Sequence, residues 1–216
     1  MYQLGVNAAC AFVRTALDEL TTVEEIGFLV DADAVNLQRI VENCIVEAVV
    51  RTHQNALPLL IDGVEGEDGV DFDAKYEDDG SVTITMLQDT LRIASVRTSD
   101  PISPVVCTLV AEDSPKGRMQ MSKYTRGVYD DPCVVLAKVW NDTYQPILRY
   151  YSVDGKPEIY VEYIPYPVIT DSMVNISARL EYAVLNEIVA MVLDSVNEHQ
   201  KAALYRAKSQ AIMEGK

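Results

Sequence analysis

The sequence predicts an α+β fold: a helical bundle drawn from the N- and C-terminal helices, with a central, mostly antiparallel β insertion. Three observations predict it. Apolar residues recur at helical spacing near both chain ends, the period drops to two between residues 82 and 167, and a glycine-rich acidic stretch separates the first helices from the strands. The domains expected are a helical domain of residues 1–60 plus 171–216, an acidic loop of 61–80, and a β domain of 81–170. With 216 residues, 49% of them apolar, the chain is long enough to bury a core without disulfides or metal.

The first helix is expected over Asn7–Leu20, where Cys10, Val13, Ala16, Leu17 and Leu20 form one face. After a break at Thr21-Thr22, Asp33 is placed to cap a longer helix ending near Asn55. Its apolar set is Leu37, Ile40, Val41, Cys44, Ile45, Ala48 and Val49. Two such amphipathic helices cannot bury their stripes alone and need a partner surface. In Ile61–Gly80, four glycines and nine acids (Asp62, Glu65, Glu67, Asp68, Asp71, Asp73, Glu77, Asp78 and Asp79) face Lys75 alone, which reads as a mobile loop.

Strands follow. Val82, Ile84 and Met86 alternate, as do Leu91 and Ile93; Val105–Val110 and Val134–Trp140 are apolar runs of strand length. Pro146–Tyr151 and Glu158–Ile164 flank Asp154-Gly155, a hairpin signal. Ser114–Arg126 interrupts the sheet with Pro115, Gly117 and the bases Lys116, Arg118, Lys123 and Arg126. Asp171 or Ser172 is expected to cap a last helical section with Ile176, Leu180, Val184, Ile188, Met191 and Val192 on one stripe. A weaker pattern continues through Ala203, Leu204, Ala207 and Ala211.

Charge narrows the function. The chain carries 33 acids and 18 bases, a net charge of −15 with a pI near 4.4, and residues 61–80 alone contribute −8. Gripping nucleic-acid phosphates needs a basic face, so that class is disfavoured. No run is long and apolar enough for a membrane span, and Met1–Cys10 lacks the pattern of a signal peptide. The four cysteines (Cys10, Cys44, Cys107 and Cys133) contain no CxxC pair and are expected as reduced thiols.

No catalytic constellation emerges. His53 and His199 are expected in structural roles near helix ends. Cys44 and His53 on one helix are about 13 Å apart along its axis, too far to share a proton. An EF-hand loop starting at Asp71 would place Lys75 and Tyr76 at its fifth and sixth positions, and one starting at Asp73 puts Lys75 at its third; both fail. No phosphate loop, dinucleotide fingerprint or nucleophile elbow is present. The expectation is a protein that is not an enzyme and uses no cofactor or metal.

Local runs carry a resemblance. The segment Leu87-Gln-Asp-Thr-Leu-Arg-Ile-Ala-Ser-Val-Arg-Thr-Ser99 resembles a strand and bend of head–tail connector (adaptor) proteins of tailed bacteriophages. Glu112-Asp-Ser-Pro-Lys-Gly-Arg-Met-Gln-Met-Ser-Lys-Tyr-Thr-Arg126 is similar to the loop that follows in ring proteins of crAss-like phages. The strand Glu158–Ile164, its double-proline exit at Pro165 and Pro167, and the closing helix look like the wider family that includes tail tubular protein A. Gln88 and Thr90 depart from the family's usual proline and phenylalanine, and the acidic stretch has no counterpart there.

The resemblance implies a structural virion protein that forms a homo-oligomeric ring, twelve-fold in that family, below the portal at the head–tail junction. Such a ring extends the DNA channel and offers a platform for the tail. Its expected partners are the portal and other tail or ring proteins; packaged DNA passes without specific binding, and no membrane is involved. The expected location is the virion, after assembly in the host cytoplasm. Within that reading, Lys116, Arg118, Met119, Met121, Lys123, Tyr124 and Arg126 form a subunit interface, because they join charge steering to apolar anchors. Leu204, Ala207 and Ala211, in a stretch expected to be dispensable for folding beyond Asn197, dock the portal or another ring, and the acidic stretch faces the channel or solvent. Two other classes remain: an acidic DNA mimic or other partner-binding protein, and a metal-dependent hydrolase using the acidic loop and Asp130-Asp131.

Overall fold

The computed structural model describes residues 1–20, 34–78, 81–99, 104–122, 133–137, 146–151 and 158–215. The Asp33 cap, the Asp154-Gly155 turn and Asp130-Asp131 lie outside them. In chain order the first elements are β1 (Tyr2–Gly5), α1 (Val6–Leu20), α2 (Ala34–Asn55), β2 (Val64–Glu65), β3 (Phe72–Tyr76), β4 (Ser81–Met86) and β5 (Thr90–Ser99). Then come β6 (Pro104–Val106), β7 (Thr108–Ala111), α3 (Pro115–Gln120), β8 (Cys133–Ala137), β9 (Ile147–Tyr151) and β10 (Glu158–Pro165). The last are β11 (Met173–Ile176), α4 (Glu181–Ser195) and α5 (His199–Met213). The fold is α+β, in two compact units: Met1–Asp62 with Pro167–Lys216, and Gly63–Tyr166.

In the helical unit the expected stripes are the buried ones. Val13 and Leu17 of α1, Leu37, Val41 and Ile45 of α2, and Val184, Ile188 and Val192 of α4 share one core. A fully buried side chain of this size contributes about 1.5–3 kcal/mol. The sequence reading missed a two-stranded ribbon. β1 runs antiparallel to β11, with Leu4 opposite Val174, both buried. Asp171 and Ser172 therefore do not cap a helix; at φ of 52° and 58° they turn the chain into β11. Val174 and Ile176 alternate with Met173 and Asn175, and that period of two pairs with the N-terminal strand. A 3-10 turn at Ala178–Leu180 then leads into α4.

The joint between α4 and α5 is a Schellman turn. Glu198 N–H bonds the Leu193 carbonyl at 2.9 Å and Asn197 N–H bonds that of Asp194 at 3.1 Å. Asn197 takes the left-handed φ of 65° that this motif requires, a role asparagine fills more readily than most residues. α5 folds back as part of the core: Ala202, Tyr205 and Ser209 are buried. Ile212 and Met213 pack on Ala56, Leu180 and Ala183. The expectation that the chain beyond Asn197 is dispensable is thereby corrected, since its inward stripe is Ala202, Tyr205 and Ser209 rather than Leu204, Ala207 and Ala211.

The β unit holds a four-stranded sheet, β2-β10-β5-β6, and a five-stranded sheet, β3-β4-β9-β8-β7. All pairs are antiparallel except β7 with β8. Phe72, Ile84, Met86, Val96, Leu148 and Val161 belong to a core contributed by both sheets. Two expectations change. Val105–Val110 is not one strand; it divides at buried Cys107 into β6, which pairs β5, and β7, which pairs β8. Pro146–Tyr151 and Glu158–Ile164 do not form a hairpin, because β9 joins β4 and β8 whereas β10 joins β5 and β2.

Buried His53 ties the ends of the helical unit together. Its Nδ1 lies 3.0 Å from the Val49 carbonyl, which can only accept, so Nδ1 carries the proton. The bare Nε2 accepts the N–H of Ser177 at 3.0 Å, and Ser177 Oγ accepts the N–H of Asp62 at 3.0 Å. His53→Leu leaves the buried Ser177 N–H without its acceptor, and denaturant unfolding should show a loss of about 1–3 kcal/mol. A loss below about 0.5 kcal/mol, the size of an ordinary surface change, would show that the bond is dispensable.

Candidate functional site

Three groups of residues stand out from the sequence as contact surfaces, and the structure treats each differently. The basic cluster begins as a built element. Ser114 caps α3, its Oγ accepting Gly117 N–H at 3.0 Å, and Pro115 suits the first helical turn. Gly117 is buried because α3 lies on β7: a Cβ there would stand 2.2 Å from the Ala111 carbonyl oxygen. Gln120 is buried too. With those residues turned inward, Met119 and Met121 are 53% and 44% exposed. Lys116 is half-buried. Exposed Arg118 is held in place, donating from Nε and Nη2 to the Asp113 carbonyl at 3.1 and 2.8 Å. Lys123, Tyr124 and Arg126 lie outside the described residues.

The acidic stretch is not a loop. It contributes β2 and β3, with Phe72 buried, Ala74 and Tyr76 half-buried, and Asp73 and Lys75 exposed between them. This alternation is the two-residue period of a strand packed on one face, which the density of charge obscured in the sequence. The carboxylates stay out of the core, and several close the backbone. Asp71 Oδ2 accepts Glu67 N–H at 3.0 Å, and Asp68 Oδ1 accepts Ala74 N–H at 3.1 Å on the outer edge of β3. Glu65 pairs Arg97 at 3.3 Å, and Glu77 pairs Lys75 at 3.2 Å. Glu67 and Asp78 are exposed; Asp62 is half-buried and belongs with the helical unit. Asp79 lies outside the described residues.

Asp71 Oδ1 also accepts the hydroxyl of Tyr163 at 3.0 Å. Burial, joined by that hydrogen bond and by the carboxylate's charge, pushes the Tyr163 hydroxyl up to about 12.

On α5, Leu204 is 60% exposed and Ala207 is exposed, whereas Ala211 is half-buried. The sequence reading missed the ion network behind that helix. Buried Glu187 meets Arg51 at 3.2 Å, and Arg206 bonds Asp194, which also takes His199 Nδ1 at 2.9 Å. The His199 hydrogen bond, followed by the Arg206 contacts, holds the Asp194 carboxyl below its usual range. His199 opens α5 rather than closing a helix. The local signal available was Glu47 four residues before Arg51, which pairs at 2.5 Å; the long-range partners had none.

Among the exposed apolar side chains that the sequence reading did not single out are Val70, Leu87 and Leu109, at 54%, 43% and 37%. Among the described residues no group of three or more His, Cys, Asp or Glu is placed to hold a metal ion, and no helix is long and apolar enough to cross a membrane. What these groups can do is make contact: apolar side chains on fixed backbone, rimmed by charge. The chain matches no protein-family model and no curated protein.

Gly117→Ala should force α3 off β7, costing about 1–3 kcal/mol as an overpacked site does. Thermal melts would check it, and an unchanged midpoint would show that α3 can shift without cost. Tyr163 gives a pH signature. Its proton leaves near 10 in an unfolded chain but near 12 in the folded protein, so its contribution is complete below the first value and lost as pH rises through the second. Between those values the melting temperature should fall more steeply for the wild type than for Tyr163→Phe. Parallel slopes would rule out the coupling.

Proposed function

We propose that the chain is a structural subunit of a phage virion that assembles into a ring below the portal, extending the DNA channel and carrying the tail. The observation that carries this reading is α3: a capped, closely packed helix with Met119 and Arg118 exposed on it and Met121 exposed at its end. Apolar side chains held exposed on a packed element are what a subunit interface is built from. Two further features support it. The run resembling connector proteins spans the lead-in to β5 and β5 itself, and the loop-like run of ring proteins contains α3. Exposed carboxylates on a chain of net charge −15 suit a conduit that DNA must pass without adhering.

An acidic DNA mimic shares the charge but does not call for the exposed Met119 and Met121. Competition by DNA for a basic partner would distinguish it.

Particle composition tests the proposal. Mass spectrometry of purified virions should find the chain in a fixed ratio to the portal protein, and deleting its gene should leave DNA-filled heads without tails. Infectious, tailed particles that lack the chain would overturn the reading.

A further inference from the structure

We propose that the start of α4, together with β1 and α1, forms a docking point for an arginine side chain of a basic partner protein. The site lies in the helical unit, and the inference goes beyond the ring reading without resting on it.

Four side chains from three elements make the site. α4 is buried without a break over residues 183–190, yet Tyr182 in its first turn is 62% exposed. Phe12 of α1, half-buried on the core, meets the Tyr182 ring edge-on, with centroids 6.3 Å apart and planes at 64°. Rings at that angle give two walls rather than one flat patch. Tyr2 of β1, 42% exposed, is held opposite Ile176 of β11, the strand that leads towards α4. Its hydroxyl stands beside the carboxylate of Glu181, the residue before Tyr182. That hydroxyl's pKa is raised by hydrogen bonding to Glu181 first and by its charge second, with a smaller contribution from Tyr182.

The chemistry of these groups selects a cation. Aromatic faces are negative and attract positive charge, and Glu181 adds a full negative charge. Half-buried Glu181 forms no ion pair among the described residues. Arg179, two residues before it, donates to the Leu59 carbonyl at 2.7 Å. A place in the first turn of a helix makes a carboxylate without a base tolerable; it does not account for the aromatic side chains left exposed beside it. Among cationic groups the guanidinium fits best, because it is planar, stacks on a ring and donates to a carboxylate at once.

The chain itself is a poor source of that group. It carries 33 acids against 18 bases, and Arg51, Arg97, Arg118, Arg179 and Arg206 are each bonded within it. A net charge of −15 draws a basic protein from a distance, and tyrosines beside a carboxylate give such a partner a fixed anchor, since tyrosine and arginine dominate the centres of interfaces.

Titration of the full chain with a capped glycyl-arginyl-glycine peptide, followed through the ring resonances of Tyr2, Phe12 and Tyr182, tests the site. The three sets should move together and saturate. The same peptide with citrulline, which keeps the shape and loses the charge, should leave them unmoved. Glu181→Gln and Tyr182→Leu, read on the remaining rings, should each weaken binding about two- to fivefold, the range of one exposed cation–π contact. Glu181→Gln keeps the side chain's size and carries the test alone should circular dichroism show that Tyr182→Leu disturbs α4. Rings that ignore the arginine peptide, or that respond equally to citrulline, would overturn the proposal. So would shifts that grow with the concentration of the chain alone, which would assign the site to a second copy. Particle composition, which tests the virion reading, is independent of all these outcomes.

Discussion

The backbone N–H of Ser177 is buried with the helical unit and donates to a histidine 124 positions earlier in the chain. That bond states the constraint on which the rest depends: residues 1–62 and 167–216 have no core apart. The stripes of α1 and α2 are covered by α4 together with β11 and α5, and β1 finds its ladder in β11. Bringing those segments together closes an excursion of roughly a hundred residues, Gly63–Tyr166. The length-dependent part of that closure costs about 4 kcal/mol if the excursion is flexible. An excursion that folds into its own two-sheet core has its ends held by structure, so the β unit lowers the entropic cost of completing the helical one.

The helical unit was the more legible half, because a period of 3.6 over fifteen or more residues identifies both an element and its buried face. α5 shows where this stops. Leu204, Ala207 and Ala211 look as apolar in sequence as Ala202 and Tyr205, yet the inward face is Ala202, Tyr205 and Ser209, and Leu204 is exposed. β1 and β11 escaped for another reason, since four-residue strands give too few repeats to establish a period.

In the β unit the strands themselves were legible and their partners were not. Apolar residues at 105, 106, 109 and 110 continue one pattern across Cys107, yet the two halves serve different sheets. Pairing is a property of the folded sheet and leaves no local mark when both neighbours are equally apolar. The same holds for Asp154-Gly155, where good turn residues lie between strands that belong to separate sheets. The acidic segment failed in the opposite direction. Its net charge outweighed the alternation of Phe72, Ala74 and Tyr76, although charge on the outward positions of a strand is compatible with burial on the inward ones.

That misreading bears on what the carboxylates do. A mobile acidic loop would carry charge and nothing else, whereas Asp68 and Asp71 accept backbone N–H groups and Asp71 also anchors Tyr163. These residues fix the turn that carries exposed Val70. The start of the basic cluster follows the same logic: Ser114 caps α3, Gly117 and Gln120 are buried, and Arg118 and Met119 are exposed. Arg118, exposed on that helix, donates to the Asp113 carbonyl at 3.1 and 2.8 Å, so the backbone itself sets where this base stands on a chain of net charge −15.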